Sequence, residues 1–497
     1  MATKMLARPR RRVLLVSSAV VAATLALGAP AGSASPAATA ASVTVNASAG
    51  LGQLPANGIG LNTAVYDAHM NDAQIVAPLR NGGIDALRYP GGSYSDIYNW
   101  QTRTAVAGGY VAANTSFAQF AATVRAANAG SIVTVNYGTG STSLAAAWVR
   151  AAASDQANVR YWEIGNEVYG NGTYGSNWET DGHCRTSRGG SPVTIGKEPS
   201  RTYNCGPTEY AQSMLAYRSA IKAANSGSQV CAVLTTPGFW PDNVTTAEYP
   251  HSWNQTVLST LGRQTDCVIV HYYPAQGNPS TASMLNDPSD IPGVVSTVRS
   301  QIQQYTGLNP ANVPIIVTET DSQVDPDTQP SALFAADMYM SWLENGVVNV
   351  DWWDEHNGPG SSSVVGGARD CGDLGMFASG GGGEPAVNTP FSSYYGLVML
   401  TRLGRPGDTM VRSSSSSGLL KVHAVRHGSD LDVLIDNEDP SNSYPVNLSY
   451  TGFTPSGGAT VAKLADNATS ITSSTQSSTS SVTVSPYSLT VVRIPGR

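Results

Sequence analysis

The stretch Arg160-Tyr-Trp-Glu-Ile-Gly-Asn-Glu-Val-Tyr169 is an apolar and aromatic run that ends in two polar side chains. Its β-branched and aromatic residues predict a buried strand over Val159–Ile164, and Gly165 indicates close backbone approach where that strand stops. Asn166 and Glu167 then follow the strand directly. A carboxylate in this position is either a capped or salt-bridged surface residue or part of an active site.

A second strand of the same design lies far downstream. Val313-Pro-Ile-Ile-Val-Thr-Glu-Thr320 is an apolar run that leads straight to Glu319. Two glutamates at the ends of two buried strands favour an active site in which a pair of carboxyl groups does acid, base or nucleophile chemistry. We therefore treat Glu167 and Glu319 as candidate catalytic residues.

Length and composition describe an ordinary globular protein. The chain has 497 residues, 41% hydrophobic and 13% charged, which is enough for a large core in a main domain and a smaller one. The formal net charge of -7 and the lack of a basic patch argue against nucleic acid as a partner.

Residues 1–40 have the pattern of a secretory signal peptide: basic residues, an apolar run from Val13 to Leu27, then small residues. The apolar run is too short to span a bilayer comfortably, and no later stretch resembles a membrane span. We expect a secreted, extracellular protein with no membrane partner after signal cleavage. Paired arginines before Val13 leave the twin-arginine and the general export routes both open.

Five cysteines in a chain of this size do not make a disulfide scaffold. Cys184 and Cys205 bracket a polar segment and are the best candidates for a bridge. Cys231 and Cys267 lie in two apolar strand-like runs, where buried free thiols and a bond are both open. Cys371 is left over. No spacing matches a Cys/His zinc pattern, so the sequence predicts no metal site and no cofactor.

From Val43 onward, strand-like and helix-like segments alternate. Helical patterns such as Thr208–Ala224 and Ser331–Asn345 separate eight apolar runs. The predicted strands are Gly58–Asn62, Asp85–Tyr89, Ser131–Asn136, Val159–Ile164, Val230–Leu234, Cys267–His271, Pro314–Thr318 and Val347–Asp351. Apolar rather than alternating strands in eight strand-helix units indicate an α/β protein with a (β/α)8 TIM barrel over residues 43–404. An open doubly wound sheet is the alternative, but no phosphate-binding glycine motif follows the first strand.

After about Arg405 the composition shifts to Ser, Thr and Val in short alternating runs. Residues 405–497 therefore predict a C-terminal antiparallel β-sandwich domain, which the early strand Ser42–Asn46 could join. The Ser-rich Ser413–Ser417 and Thr469–Ser481 are interpreted as loops or linkers.

Three motifs occur in the order found in a known family. They are Leu87-Arg-Tyr-Pro-Gly-Gly-Ser-Tyr-Ser-Asp-Ile-Tyr-Asn-Trp100, Val135-Asn-Tyr-Gly-Thr-Gly140, and the run from Val159 to Glu167. Together they resemble retaining glycoside hydrolases of the large (β/α)8 clan, and most closely the family 51 α-L-arabinofuranosidases. The similarity covers residues 56–170 well and the rest by pattern only.

The resemblance implies two catalytic roles. Glu167, on the fourth strand, resembles the general acid/base, whose pKa we expect burial and the second carboxylate to raise. Glu319, on the seventh, resembles the nucleophile. Arg88 resembles the arginine that keeps the nucleophile ionised, although a salt bridge at the barrel mouth would also explain it.

The resemblance also implies substrate-binding roles. Asn166 resembles the residue that binds the 2-hydroxyl group of the sugar. His271 and Tyr273 resemble the pair beside the nucleophile, with core packing of one of them as the alternative. Trp352 and Trp353 follow the last strand, where a stacking platform is expected, and only one of the two can face the site. Trp353 is our candidate.

Three departures bear on the substrate. Ser93 stands where the family usually has Asn, the strand-1 Glu-His segment has no counterpart in Gly58–Thr63, and an insertion from Tyr169 to about Pro207 follows Glu167. The resemblance implies a secreted retaining exo-glycosidase that acts on polysaccharide or oligosaccharide, as an α-L-arabinofuranosidase. A β-D-galactofuranosidase, a β-xylosidase or an endo-glycanase of the same clan remain alternatives, as does a carbohydrate-binding protein without activity.

Overall fold

A computed structural model describes residues 40–174, 178–182, 205–239, 242–247, 249–275 and 279–497. The predicted signal peptide lies outside these ranges except for its last residue. Cys184 also lies outside them, so the Cys184–Cys205 bridge stays a prediction, which peptide mapping under non-reducing conditions would test. None of the helices in the described part of the chain combines the length and the apolar character needed to cross a bilayer.

Strands and helices alternate along the first four fifths of the described chain, and strands follow one another thereafter. The strands are β1 (Ala41–Gln53), β2 (Ile59–Asn62), β3 (Ala86–Tyr89), β4 (Tyr98–Asn99), β5 (Thr104–Ala105), β6 (Gly130–Val135), β7 (Val159–Ile164), β8 (Gln229–Val233), β9 (Cys267–Tyr272), β10 (Ile315–Thr320), β11 (Asn349–Trp352), β12 (Ser363–Val365), β13 (Ala368–Asp370), β14 (Thr409–Ser415), β15 (Leu420–His427), β16 (Asp430–Asn437), β17 (Tyr444–Thr451), β18 (Ala459–Leu464), β19 (Thr472–Gln476), β20 (Ser481–Val484) and β21 (Ser488–Ile494). The α-helices are α1 (Val76–Asn81), α2 (Phe117–Ala127), α3 (Thr142–Ser154), α4 (Pro207–Ala224), α5 (Trp253–Leu261), α6 (Thr281–Asn286), α7 (Ile291–Thr306), α8 (Gln329–Glu344) and α9 (Ser392–Leu403).

Eight parallel strands close into a barrel in the order β10-β11-β2-β3-β6-β7-β8-β9. The predicted (β/α)8 barrel is confirmed, and each predicted strand matches one of these to within two residues at either end. The open-sheet alternative is wrong because β10 and β11 pair with β9 and β2 and leave no edge. Parallel closure brings the carboxyl ends of all eight strands to one rim.

The helix predicted over Thr208–Ala224 is also present, as α4. In α4 the side chains of Tyr210, Met214, Tyr217 and Ile221 are buried, and Pro207 occupies the first turn, where its missing N–H costs nothing. The Tyr210 hydroxyl donates to the Ile164 carbonyl at 2.8 Å, which fixes α4 against the end of β7.

The barrel interior contains a disulfide. Cys231 of β8 and Cys267 of β9 lie directly opposite each other and are bonded. Of the two alternatives left open by the sequence, the bond is therefore the one formed. Both residues are fully buried and pack with isoleucines of β6, β9 and β10. Cys371 is buried and free.

The remaining strands form one nine-stranded sheet in the order β19-β18-β21-β16-β15-β14-β1-β17-β20. Neighbours are antiparallel except β1 and β17, so the first described strand does join the C-terminal sheet. Only residues 485–487 connect β20, at one edge, to β21, near the other. Three residues span roughly 10 Å, so the sheet must fold over into two layers.

The interpretation of the Ser-rich segments as loops is wrong in part. Residues 413–415 belong to β14, and β19 lies inside the segment 469–481. Residues of β19 are mostly exposed and, among the described strands, pair only with β18, at the sheet edge. An edge strand needs little apolar surface, so its composition resembles that of a loop.

The barrel and the sheet share α8, which is buried along almost its whole length. The His423 ring of β15 lies between two carboxylates of α8, with Nε2 2.9 Å from Asp337 Oδ1 and Nδ1 3.0 Å from Glu344 Oε1. Burial acts to lower the pKa of His423, but the charge of Glu344 and the two hydrogen bonds raise it to about 10. A charged imidazole therefore links the two parts.

Candidate active site

The end of β7 places Glu167 at the barrel rim. Gly165 has φ 74°, and a Cβ there would lie 2.5 Å from Val168 Cγ2, so only glycine fits the turn. The Asp96 carboxylate accepts the Asn166 amide at 2.8 Å and the amides of Tyr137 and Gly138 at 2.9 Å each. This buried carboxylate, which the sequence did not single out, thus holds the ends of β6 and β7 together.

Glu319, on β10, receives two donors. Arg88 Nη1 lies 2.8 Å from Oε1, and the Tyr273 hydroxyl donates to Oε2 at 2.9 Å. Arg88 also donates through Nε to Glu163 Oε2 at 2.7 Å. Burial acts to lower the pKa of Arg88, but the charges of Glu163 and Glu319 raise it further above its usual range. The arginine is therefore both a buried salt bridge and a fixed cation on Glu319, so the two readings of it are not exclusive.

His271 lies between the two candidate catalytic glutamates. Its Nδ1 is 2.9 Å from Glu167 Oε1 and 3.4 Å from Glu319 Oε2, and its Nε2 is 3.0 Å from Thr318 Oγ1. One oxygen from each glutamate and one nitrogen of His271 all lie within 4.8 Å of one another. The structure thus brings together two glutamates that are 152 residues apart in the sequence, 319 minus 167.

Glu167 has more donors than the sequence suggested. Its Oε2 accepts Trp178 Nε1 at 2.7 Å, and its Oε1 accepts the Tyr169 hydroxyl at 3.2 Å in addition to His271. Burial acts to raise the pKa of Glu167, but the hydrogen bond and charge of His271 and the bonds from Trp178 and Tyr169 lower it below its usual range. The expectation of a raised pKa is therefore wrong for this state, because donors outweigh burial.

The pKa of His271, which is hydrogen-bonded to Glu167, is shifted in the opposite direction. Burial acts to lower the pKa of His271, but the charge of Glu319 and the interaction with Glu167 raise it above its usual range. His271 Nδ1 and Glu167 Oε1 are joined by a 2.9 Å hydrogen bond, and the opposite shifts of the two pKa values favour the proton on the imidazole. The two side chains share one transferable proton.

Asn166 is held from both sides. Its Oδ1 accepts Arg88 Nη2 at 2.8 Å, and its Nδ2 donates to Ser93 Oγ at 3.3 Å. Ser93, which departs from the family pattern, therefore contacts the residue expected to bind the 2-hydroxyl group.

Trp352 is the last residue of β11 and Trp353 follows it, and of the two Trp353 is the one left partly exposed. Trp352 is fully buried and donates from Nε1 to the Leu374 carbonyl at 2.9 Å. A Cβ at Gly92 would lie 2.6 Å from the Trp353 ring, which explains the second glycine of the Arg-Tyr-Pro-Gly-Gly motif. The Trp353 ring thus packs against the loop after β3, and the residue keeps part of its surface exposed.

Glu163 was not among the predicted site residues, although its position in an apolar strand indicated a buried charge. It is fully buried in β7 and also accepts the Thr134 hydroxyl at 2.7 Å. Alternation along β7 points Tyr161 and Glu163 to the same face. A charged residue on the inward face of an apolar strand requires a partner, and Arg88 is the cation that meets it.

A cleft of about 520 Å³ opens beside these side chains, a size suited to a small ligand. It is lined by Glu167, Tyr169, Trp178, Thr236, Gly238, Phe239, His271, Tyr273 and Pro274. The three groups Glu167, His271 and Glu319 could by distance hold a metal ion. Each carboxylate oxygen already accepts a hydrogen bond, however, so none requires a cation.

Comparison with known proteins supports the fold. No protein-family model and no curated protein matches the chain. A family 51 α-L-arabinofuranosidase from Thermotoga petrophila matches with a TM-score of 0.67 at 16% identity, covering 91% of this chain and 99% of that one. One from Bifidobacterium longum matches with a TM-score of 0.67 at 16% identity, covering 93% and 100%. The chain shares their fold.

A family 44 xyloglucanase from Paenibacillus polymyxa also matches, with a TM-score of 0.67 at 12% identity, covering 92% of this chain and 100% of that one. The resemblance that the motifs predicted is therefore confirmed at the level of the fold. Enzymes of different substrates share this architecture, so the activity must be argued from the site.

Proposed function

We propose that this protein is a secreted retaining glycoside hydrolase that releases terminal furanosides from polysaccharide or oligosaccharide, as an α-L-arabinofuranosidase. The observation that carries the proposal is the pair Glu167 and Glu319, which bring one carboxylate oxygen each within 4.8 Å of the other at the rim of the barrel. Retaining enzymes hold the two carboxyl groups about 5–5.5 Å apart, whereas inverting enzymes leave about 6.5–9.5 Å for a water molecule.

In the first step Glu319 attacks the anomeric carbon while Glu167 protonates the leaving oxygen. Arg88 and Tyr273 hold the two Glu319 oxygens by hydrogen bonds of 2.8 and 2.9 Å, which orients the nucleophile. Glu167 receives its proton from His271 through their 2.9 Å hydrogen bond. The glycosidic bond breaks, the aglycone leaves with the proton, and the sugar is bonded to Glu319.

In the second step Glu167 acts as a base. It takes a proton from water, the water oxygen attacks the anomeric carbon, and the bond to Glu319 breaks to release the sugar with retained configuration. The proton returns to the pair of Glu167 and His271, so the site is restored. Hydrogen bonds with Arg88 and Ser93 orient Asn166, which in this proposal binds the 2-hydroxyl group of the sugar.

Secretion is supported by the signal-peptide pattern and by the Cys231–Cys267 disulfide, since disulfides persist mainly in oxidising compartments. The site residues support the reaction type more strongly than they support the identity of the sugar. Ser93 and Trp178 differ from what the family resemblance implies, and a xyloglucanase shares the fold. The alternatives are therefore a β-D-galactofuranosidase, a β-xylosidase or an endo-glycanase, which a panel of p-nitrophenyl furanosides and pyranosides would distinguish. No hydrolysis of any of them would favour a binding protein.

Rescue chemistry tests the two roles. Glu319→Ala should lose activity on every substrate, because no covalent intermediate can form. Glu167→Ala should lose about 10²–10⁴-fold on substrates with poor leaving groups and much less in the first step on a dinitrophenyl glycoside. Azide should then restore turnover and give the glycosyl azide with retained configuration.

A carboxylate removed elsewhere provides the control. Glu384→Ala deletes a loop glutamate that contacts Ser379, and it should keep wild-type activity. Equal losses in Glu167→Ala and Glu319→Ala without azide rescue would show that the roles are assigned wrongly.

A further inference from the structure

A second group of charged side chains lies in the loops that follow β2 and β11. Asp67 comes five residues after β2, and Glu355 and His356 follow β11 closely. All three side chains are buried, and one donor atom from each lies within 4.8 Å of the others. The proposed catalytic residues belong to other strands and are not part of this group.

The Glu355 carboxylate is the unusual member. Glu355 is 1% exposed, and neither of its oxygens has a hydrogen-bond partner among the residues that the structure describes. His356 Nδ1 lies 3.6 Å from Oε1, which is beyond hydrogen-bond distance. A buried carboxylate without donors is strongly unfavourable unless it loses its charge or meets a cation.

The orientation of His356 leaves Nδ1 for the centre of the group. Asn388 donates from Nδ2 to Asp72 Oδ2 at 3.0 Å, so its Oδ1 faces His356 and accepts from Nε2 at 2.9 Å. Nε2 therefore carries a proton, and Nδ1 points at Asp67 Oδ2, 2.8 Å away. A histidine whose far nitrogen is fixed by an acceptor is the arrangement in which an imidazole binds a metal.

The proposed catalytic glutamates differ from Glu355 in the donors that they receive. All four oxygens of Glu167 and Glu319 accept hydrogen bonds. Around Glu355 the Asp67 carboxylate and His356 Nδ1 converge, and no donor of the described residues reaches either Glu355 oxygen. An excess of negative charge at a buried point with one nitrogen ligand is what a divalent cation neutralises.

We propose that Asp67, Glu355 and His356 bind a divalent transition-metal cation such as Mn²⁺ or Zn²⁺, which fastens the β2 loop to the β11 loop. Ligand atoms about 2.0–2.2 Å from one ion can be at most about 4.4 Å apart, so three donors within 4.8 Å need only small movements. The imidazole nitrogen favours these metals over Ca²⁺, which takes oxygen ligands. The Cys/His spacing rule could not reveal this site, because carboxylates supply two of its ligands.

In the alternative, the three residues bind no metal, His356 is an imidazolium and Glu355 is a neutral acid. Burial and the charges of Asp67 and Asp354 do raise the pKa of Glu355 well above its usual range when no cation is present. Glu355→Gln separates the two states. If Glu355 is a neutral acid, glutamine mimics it and the substitution should change little. If Glu355 binds a metal, the substitution removes an anionic ligand and should weaken metal binding.

The experiment uses the secreted full chain without a histidine tag. Metal content after purification is measured by mass spectrometry, and protein treated with EDTA and dialysed is titrated with Mn²⁺, Zn²⁺ and Ca²⁺ by calorimetry, with Tm recorded at each end point. We expect one equivalent of Mn²⁺ or Zn²⁺ per chain, a higher Tm with metal, and at least a tenfold weaker affinity in Glu355→Gln.

Asp436→Asn is the matched control, because Asp436 is a fully buried acid of the sheet whose two oxygens also have no partner in the described part of the chain. Its metal affinity should equal that of the wild type. No stoichiometric binding by the wild type, binding of Ca²⁺ alone, or unchanged affinity in Glu355→Gln would each overturn the proposal. If Glu355→Gln does not fold, the wild-type titration decides by itself.

Discussion

Replacing Arg88 by methionine should destabilise the protein far more than the loss of an ordinary salt bridge. The guanidinium lies 2.7 Å from Glu163 Oε2 and 2.8 Å from Glu319 Oε1, and the exposed side-chain fractions are 0% for Arg88 and Glu163 and 7% for Glu319. Methionine fills much of the same volume and removes the charge. Two buried carboxylates are then left without their cation.

The magnitude follows from the surroundings. Removing one partner of a buried ion pair costs about 3–5 kcal/mol, because the remaining charge stays desolvated. Glu163 keeps the Thr134 hydroxyl and Glu319 keeps the Tyr273 hydroxyl, so both remain hydrogen-bonded. We therefore expect Arg88→Met to lower the free energy of unfolding by about 3–5 kcal/mol rather than by twice that amount.

Arg218→Met is the matched control. Arg218 pairs with Asp266 at 2.8 Å with exposed fractions of 23% and 12%, and Lys222 also lies 2.9 Å from that carboxylate. A partly solvated pair with a second cation should cost about 1 kcal/mol or less. Equilibrium urea unfolding followed by tryptophan fluorescence measures both changes from the transition midpoints.

A double variant identifies the cause. Adding Glu163→Gln to Arg88→Met removes one unpaired charge, so the double variant should be more stable than the sum of the two single losses by about 1–3 kcal/mol. Equal losses for Arg88→Met and Arg218→Met, or strict additivity with Glu163→Gln, would refute the account of Arg88 as the cation of a buried network.

Two further predictions concern the contributions of His423 and of the Cys231–Cys267 disulfide to the free energy of unfolding. His423→Gln should lower the free energy of unfolding at pH 6, and the difference from wild type should shrink toward pH 10. The folded-state pKa of about 10 lies above the unfolded value of about 6.5, so this stabilisation is complete below pH 6.5 and is lost as pH rises through 10. Urea midpoints at three pH values check this, and a constant gap would contradict it. Cys231→Ala with Cys267→Ala should cost about 3–4 kcal/mol, because the bond closes a sequence separation of 36 residues. A loss under about 1 kcal/mol would contradict the chain-entropy argument.

The sequence by itself determined the barrel and the position of its reactive groups. Eight apolar runs separated by helical patterns admit few architectures, because parallel strands buried on both faces need helices around them. Once the strands are parallel, their carboxyl ends must meet at one rim. The sequence alone therefore predicts that Glu167 and Glu319, each at the end of a strand, lie close together.

The tertiary structure alone decided which partners each charged group meets. The lowered pKa of Glu167 depends on Trp178 and His271, and the Cys231–Cys267 bond depends on the register of β8 and β9. The group around Glu355 joins loops that are almost 290 residues apart, since Asp67 and His356 differ by 289 positions. Hydrogen bonds and burial act through space over a few ångströms, and separation along the chain carries no information about such distances until the barrel has closed.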